Sequence, residues 1–480
     1  MIRLGLLGCL LSPRESLFSM FERTIQQFCE ITGSRISGDL SPDSVVNDAV
    51  IDSRLSRPHT LFFALPGSET HGICFANDAH AQGAVVVADE ESAVEFDGPL
   101  IIAIDPYRAL QQLARFNRRQ SDALVIGITG SVGKTTTRRL LTSVLSSVHA
   151  GIQSPANYNN ELGVPLSVLQ IEDDSEFAVI EMGARHSGDI TELCHIALPE
   201  FAIITRVAPS HLSSFDSVEA IAATKRELIE SLNASGTVFL NADDRYVMAM
   251  ASSANCRVVT FGQSPNADLQ YGIVDATNTQ LVLQMAGQEF FVRICGRHQA
   301  SGVAASIAVA LELGISGDDI QAGLDGFEPA DGRMVLRKID GVDVIDDTYN
   351  ANPASVQAAT MMLDNWRTQG RRVFVFGSML DLGDQSAELH FAMGVVMSQT
   401  SIDHTVAYGE YAGDVAEGFL SAGGQLSRIS VFDTEATLLS ILDCIVDRGD
   451  AVLVKGSRGM AMERIVAGLE PSPQEMRRAA

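Results

Sequence analysis

The sequence predicts an α/β protein in three parts: a small α/β N-terminal domain, a central domain with a mostly parallel sheet, and a C-terminal Rossmann-like domain. Three observations predict it. Apolar, β-branched runs at 124–128, 177–180 and 201–204 alternate with helical apolar spacing, as strands covered on both faces do. The first run enters a glycine-rich turn, Gly130-Ser131-Val132-Gly133-Lys134-Thr135-Thr136, and then a helix. A length of 480 residues makes about three domains of ordinary size.

Residues 20–118 read as the first domain. Helical spacing covers 21–31. A strand at 49–54 runs into Asp52-Ser53-Arg54, and a strand at 60–65 stops at Pro66-Gly67, with His71 and Gly72 in the following loop. Asp52-Ser53-Arg54 is either a polar strand end or a ligand contact. Residues 1–19 are expected to be a disordered extension before a natural start at Met20, their apolar core being short for a signal segment.

Residues 119–326 read as the central domain. Gly130 and Gly133 accept backbone angles that other residues avoid. A strand, glycine loop and helix N-terminus make an anion site, so the turn reads as a P-loop for ATP. Lys134 then reaches the β/γ-phosphates and Thr135 holds Mg²⁺. Ile128 stands where the standard pattern has glycine. Glu181 ends the strand at 177–181, the edge where ligands bind in open α/β sheets, and is a second Mg²⁺ ligand candidate. The loop after 201–205 carries His211. On the helix at 218–232, Lys225 falls on the inward stripe with Ile221, Leu228 and Ile229, while Glu227 is expected to point away. A lysine there either snorkels, pairs with a carboxylate, or is carbamylated into an anionic metal ligand. Asn157-Tyr-Asn-Asn-Glu-Leu-Gly-Val-Pro165, including Asn159 and Asn160, reads as a substrate-contacting loop.

Residues 327–480 read as the third domain, opened by Asp331-Gly332-Arg333. Buried strands at 342–345, 372–377 and 451–455 end in polar or glycine residues. The first leads into Asp346-Asp347-Thr348-Tyr349-Asn350-Ala351-Asn352-Pro353. No G-x-G-x-x-G follows a strand, so a dinucleotide site is not expected.

Composition bounds the partners. A net charge of −26 argues against nucleic acid, and an anionic substrate needs local cations against that field. The seven scattered cysteines include no C-x-x-C pair, which fits free thiols in a reducing cytoplasm. No stretch is long and apolar enough for stable membrane insertion. A monomer is the default.

With these motifs in place, the chain resembles the Mur ligases, ATP-dependent amino-acid ligases of peptidoglycan synthesis, from about residue 20 onward. Thr129–Thr136, Asn157–Pro165, Glu181–Ala184, His211, Lys225, Asn241–Asp244, Gly296–His298, Gly332-Arg333, Asp346–Pro353 and Lys455–Arg458 carry the resemblance. Asn-x-Asn-Asn-Glu and Asp-Asp-Thr-Tyr-Asn-Ala-Asn select the member that joins D-alanyl-D-alanine to UDP-N-acetylmuramoyl-tripeptide. The resemblance implies domains for UDP, ATP and the incoming amino acid, and a cytoplasmic enzyme. It implies uridine binding by Ser53 and Arg54, a first Mg²⁺ on Thr135 and Glu181, and a second on His211 and carbamylated Lys225. It implies that Arg333 and Asp347 reach ATP, that Lys134, Lys225, His211 and Arg333 are catalytic, and that Asn159, Asn160, Asn350 and Asn352 contact substrate. Gly302, Arg206 and Ser378 depart from the family pattern. Gly302 replaces an asparagine that seats adenine, so Gly302→Asn is expected to tighten ATP binding.

Overall fold

The computed structural model describes residues 22–67, 69–210 and 212–470. The expected extension over 1–19 and His211 lie outside the described residues. Residues up to Ala123 with Pro165–Ser175 form one compact unit; Leu124–Val164 with Glu176 onward form a second.

The first unit holds a five-stranded sheet. Asp48–Val50, Thr60–Phe63, Val85–Ala88 and Leu100–Ile102 run parallel, and Arg35–Ser37 joins the last antiparallel. The strand expected to reach Arg54 ends at Val50. Asp52 accepts the Arg54 N–H at 3.0 Å and turns the chain into a 3₁₀ turn, Ser53–Leu55, because a short carboxylate competes with the ladder for local N–H groups.

The second unit carries two sheets. In the first, β1 (Leu124–Thr129) is flanked by two parallel neighbours, β2 (Phe177–Glu181) and β3 (Phe201–Ile204). Beyond β3 lie β4 (Thr237–Asn241), Arg257–Gly262 and Leu269–Ala276, also parallel. The sheet ends in an antiparallel meander through Leu281–Met285 and Gln288–Val292. Helix α1 (Lys134–Leu145) follows β1, α2 (Val218–Glu230) follows β3, and α3 (Ala300–Glu312) packs beside α1. Ile126, Leu141, Val179, Phe239 and Ile307 meet in one apolar core. The serial burial of β1 on both faces is what a parallel strand under helices requires.

In the second sheet, β5 (Val342–Asp347), β6 (Arg372–Gly377) and β7 (Ala451–Lys455) are parallel, with β7 in the middle. Val335–Ile339 pairs antiparallel at one edge, and His404–Tyr408 and Ile429–Phe432 extend the other. Phe374, Phe376 and Leu453 face one core while Val373, Val375 and Val452 face another, the period of two a strand imposes. β5 runs two residues past its expected end, so Asp346 and Asp347 are buried within the ladder.

Candidate active site

The glycine turn is tied to the end of β3. Ser131 N–H donates to the Arg206 carbonyl at 2.7 Å, and the Thr205 hydroxyl donates to the Val132 carbonyl at 2.7 Å. Gly130 has φ +151°, and a Cβ there would lie 2.0 Å from Thr205 Oγ1. Only glycine lets the loop sit this close. Gly133 precedes α1, so Lys134, Thr135 and Thr136 form its first turn, with their N–H groups at the positive end of the helix dipole.

Lys134 Nζ donates to the Gly130 carbonyl at 2.7 Å. Burial lowers its pKa; the Glu181 charge opposes this and Arg333 adds to it. Glu181 is 2% exposed at the end of β2. Its Oε2 accepts from the Thr135 hydroxyl at 2.9 Å and its Oε1 from Asn159 Nδ2 at 2.9 Å. Arg138, one turn along α1 from Lys134, brings Nη1 to 3.5 Å from Oε2 and donates to the Ala156 carbonyl. The sequence reading assigned Arg138 no role. Its signal was an arginine on the inward stripe of α1.

Lys225 is 4% exposed on α2 and pairs with no carboxylate among the described residues. Burial, then the Lys134 charge, push its pKa down to about 7, against Asp189 and Glu227. Glu227 does not point away as expected. Its carboxylate accepts from Gly188 N–H at 2.7 Å and Thr191 N–H at 3.0 Å, satisfying the open N-terminus of the helix Asp189–Ala197. Helical periodicity missed this because the partner lies on another element. Among the described residues no three His, Cys, Asp or Glu side chains gather as a metal cage.

The second sheet presents Asp347 and Lys455 from the ends of β5 and β7. Lys455 Nζ donates to Asp347 Oδ2 at 2.5 Å and to the Asn350 carbonyl at 2.8 Å. Burial raises the Asp347 pKa and lowers that of Lys455, each resisted first by the other's charge. Lys134, Lys225, Lys338 and Lys455 are the chain's four lysines. The sequence names Lys455 in the Lys455–Arg458 motif without a role of its own, because its partner Asp347 lies 108 residues away.

The asparagines have local work as well. Asn159 spends its amide on Glu181. Asn160 Oδ1 accepts from Gly163 N–H at 2.9 Å, and Asn350 Oδ1 from Ala351 N–H at 2.9 Å. Asn352 caps α4 (Pro353–Asp364), accepting from Ser355 N–H. In the first unit, Arg54 is paired with Asp52 at 2.6 Å yet stays highly exposed, beside Ser53.

Gly302 proves to be a packing position. A Cβ there would lie 2.9 Å from Thr137 Oγ1, where α3 crosses α1. Gly302→Asn is therefore expected to destabilise the protein by about 1–3 kcal/mol through overpacking, in place of tightening ATP binding. Thermal denaturation checks this; an unchanged Tm with a lower ATP KM would restore the first expectation.

Residues 128–310 match the Mur ligase middle domain and residues 332–458 the Mur ligase glutamate ligase domain. The UDP-N-acetylmuramoyl-tripeptide–D-alanyl-D-alanine ligase of Bacillus subtilis (strain 168) is 32% identical over 459 residues, covering 95% of this chain and 100% of the relative. The Escherichia coli (strain K12) protein of that name is 30% identical over 470 residues, covering 94% and 99%. The crystal structure of MurF from Acinetobacter baumannii superposes with a TM-score of 0.84 at 29% identity, covering 93% of this chain and 98% of that one. MurF ligase from Thermotoga maritima in complex with ADP gives 0.78 at 28%, covering 91% and 99%. With a glycine turn that opens a helix beside a caged carboxylate and a buried lysine, and with relatives of this kind matched over 91–95% of its length, the chain belongs to the Mur ligase family.

Proposed function

We propose that this chain is an ATP-dependent ligase that joins D-alanyl-D-alanine to UDP-N-acetylmuramoyl-tripeptide, forming a C–N bond in peptidoglycan precursor synthesis. The observation that carries the reading is the Lys134–Thr135–Glu181 cluster at the glycine turn, with Lys225 buried on α2, in a chain matched over 94–95% of its length by ligases of that name.

A carboxylate and an amine do not condense in water unaided. The γ-phosphoryl group of ATP passes to the terminal carboxylate of the tripeptide: the bond to ADP breaks and a carboxyl O–P bond forms. The dipeptide amine attacks the acyl carbon, gives up a proton, and phosphate leaves. The chain's part is positioning and charge compensation. Lys134 and Arg333 supply cationic N–H donors for the phosphates. Thr135 and Glu181 offer a hydroxyl and a carboxylate 2.9 Å apart, hard oxygen donors that suit Mg²⁺, which binds through one or two carboxylates plus substrate phosphates. When bound, the ion offsets charge on the transferring group. Lys225 suits carbamylation. An amine with pKa about 7 is substantially neutral at neutral pH, and the neutral form takes up CO₂. With His211 the carbamate would hold a second Mg²⁺.

On this reading residues 20–118 take the UDP moiety through Ser53 and Arg54. Residues 119–326 bind ATP through Gly130–Thr136, and residues 327–480 bring Arg333, Asp347 and the dipeptide. Asn160, Asn350 and Asn352, whose side-chain oxygens are used locally, would offer their amide N–H groups to substrate. No helix among the described residues is long and apolar enough to cross a membrane, and we place the enzyme in the cytoplasm as a monomer.

The test is phosphate release from ATP and Mg²⁺ with UDP-N-acetylmuramoyl-tripeptide, with and without D-alanyl-D-alanine. Release that needs both, with a product of pentapeptide mass, is the expected result. Release with another amine moves the chain to a sibling activity, and release needing neither substrate makes it a plain ATPase.

A further inference from the structure

We propose that Tyr349 is a positioning residue for phosphoryl transfer, its ring carrying the Arg333 guanidinium and holding it ready for the phosphate anion. This rests on the ligase reading above and adds the residue that prepares Arg333.

Arg333 Cζ lies 4.1 Å from the centroid of the Tyr349 ring. The Arg333 side chain makes no hydrogen bond or ion pair among the described residues, and its Nε is buried without a partner. A ring face attracts a guanidinium without neutralising it and leaves the in-plane N–H donors free. A carboxylate partner would occupy those donors and cancel the charge. The ring face therefore holds this arginine without a carboxylate and keeps its charge available to an anion.

The backbone on both sides is over-determined. Gly332 and Met334, which flank Arg333, have φ of +65° and +56°. Met334 is buried, and a left-handed non-glycine residue persists only where its surroundings hold it. Tyr349 N–H donates to the Gly332 carbonyl at 3.0 Å, and Arg333 N–H to the Ala330 carbonyl at 3.1 Å. Asp346 accepts from the Thr348 hydroxyl at 2.6 Å, which fixes the turn that presents Tyr349. A Cβ at Gly332 would meet Thr348 Oγ1 and Tyr349 N at 3.0 Å, so the two turns are in contact. The Arg333 charge is among those that shift the pKa values of Lys134, Asp347 and Lys455. Arg333 itself is held at the turn after β5 by the Gly332–Tyr349 backbone bond and the Tyr349 ring face.

The experiment is a double-mutant cycle on the full-length enzyme, with Tyr349→Phe, Tyr349→Leu, Arg333→Ala and the Leu/Ala double variant. Turnover and Tm are measured for each. Tyr349→Phe is expected to stay within about twofold of wild type. Tyr349→Leu is expected to lower kcat about tenfold, with the KM for D-alanyl-D-alanine and the Tm near wild type. In the Arg333→Ala background, Tyr349→Leu is expected to cost nothing further. An equal loss in that background overturns the proposal, because Tyr349 then acts without Arg333. Tyr349→Phe as impaired as Tyr349→Leu overturns it too, by assigning the role to the hydroxyl. Should Tyr349→Leu unfold, Tyr349→Met removes the ring with similar bulk and the same outcomes decide. Failure of the ligase reading shows separately, as wild-type ATP turnover without pentapeptide, and the cycle is then read on that turnover.

Discussion

Lys225→Ala is expected to lower kcat by about a thousandfold, about 4 kcal/mol of transition-state stabilisation, with partial rescue by short-chain carboxylic acids. The loss follows from burial. The amine is enclosed on α2 with its pKa pushed down to about 7, and on the proposed mechanism its part in the reaction is as a carbamate anion. Lys225→Arg, which keeps a cation and cannot be carbamylated, is expected to be as inactive as Lys225→Ala. Steady-state phosphate release with added formate or acetate checks both. Wild-type turnover in Lys225→Ala would sink the metal role.

The same amine sets a pH dependence of stability. Its folded pKa of about 7 lies below the ordinary 10.5. Between these values the unfolded chain holds a proton that the folded chain does not, so stability rises with pH across that window. Below pH 7 both states are protonated and the destabilisation is fully present. In CO₂-free buffer the Tm of wild type should therefore gain on that of Lys225→Ala as pH rises from 7 to 9. Parallel curves would show that the amine is solvated.

Glu181→Ala has the second largest effect, and it falls on stability as well as turnover. Glu181 is the carboxylate nearest to Arg138, which is 2% exposed and whose Nε has no partner. Removing one partner of a buried pair strands the other charge, at a cost of about 3–5 kcal/mol. Turnover is expected to fall by about a thousandfold, since Thr135 and Asn159 lose the group that organises them. Adding Arg138→Leu to Glu181→Ala should recover much of the Tm and none of the turnover. Thermal denaturation and phosphate release separate the two roles. An unchanged Tm in Glu181→Ala shows Arg138 solvated on its own, and retained turnover removes Glu181 from the metal site.

The parts of the site written within one strand and its following turn were legible early. β1 and its glycine turn, Glu181 at the end of β2, and the aspartates of β5 follow from apolar runs that stop at polar residues. The α2 stripe placed Lys225 inward, as it is. Groups whose partners come from a distant element escaped notice. Glu227 was expected in solvent and instead caps the helix Asp189–Ala197. Arg138 is unremarkable until β2 brings Glu181 to it, and the tight approach of α3 to α1 at Gly302 is invisible before the two helices meet.

The sequence by itself determined the alternation of strands and helices, the phosphate-binding turn, and the family, because each is a local pattern of polarity and backbone permission read over a few residues. Only the tertiary structure decided which charges are paired, which lysine loses its proton near neutrality, and which arginine is held by a ring and left without a carboxylate. Those outcomes depend on burial and on distances of a few ångströms between segments tens to hundreds of residues apart, and electrostatic energy in a poorly solvated interior is steep in both.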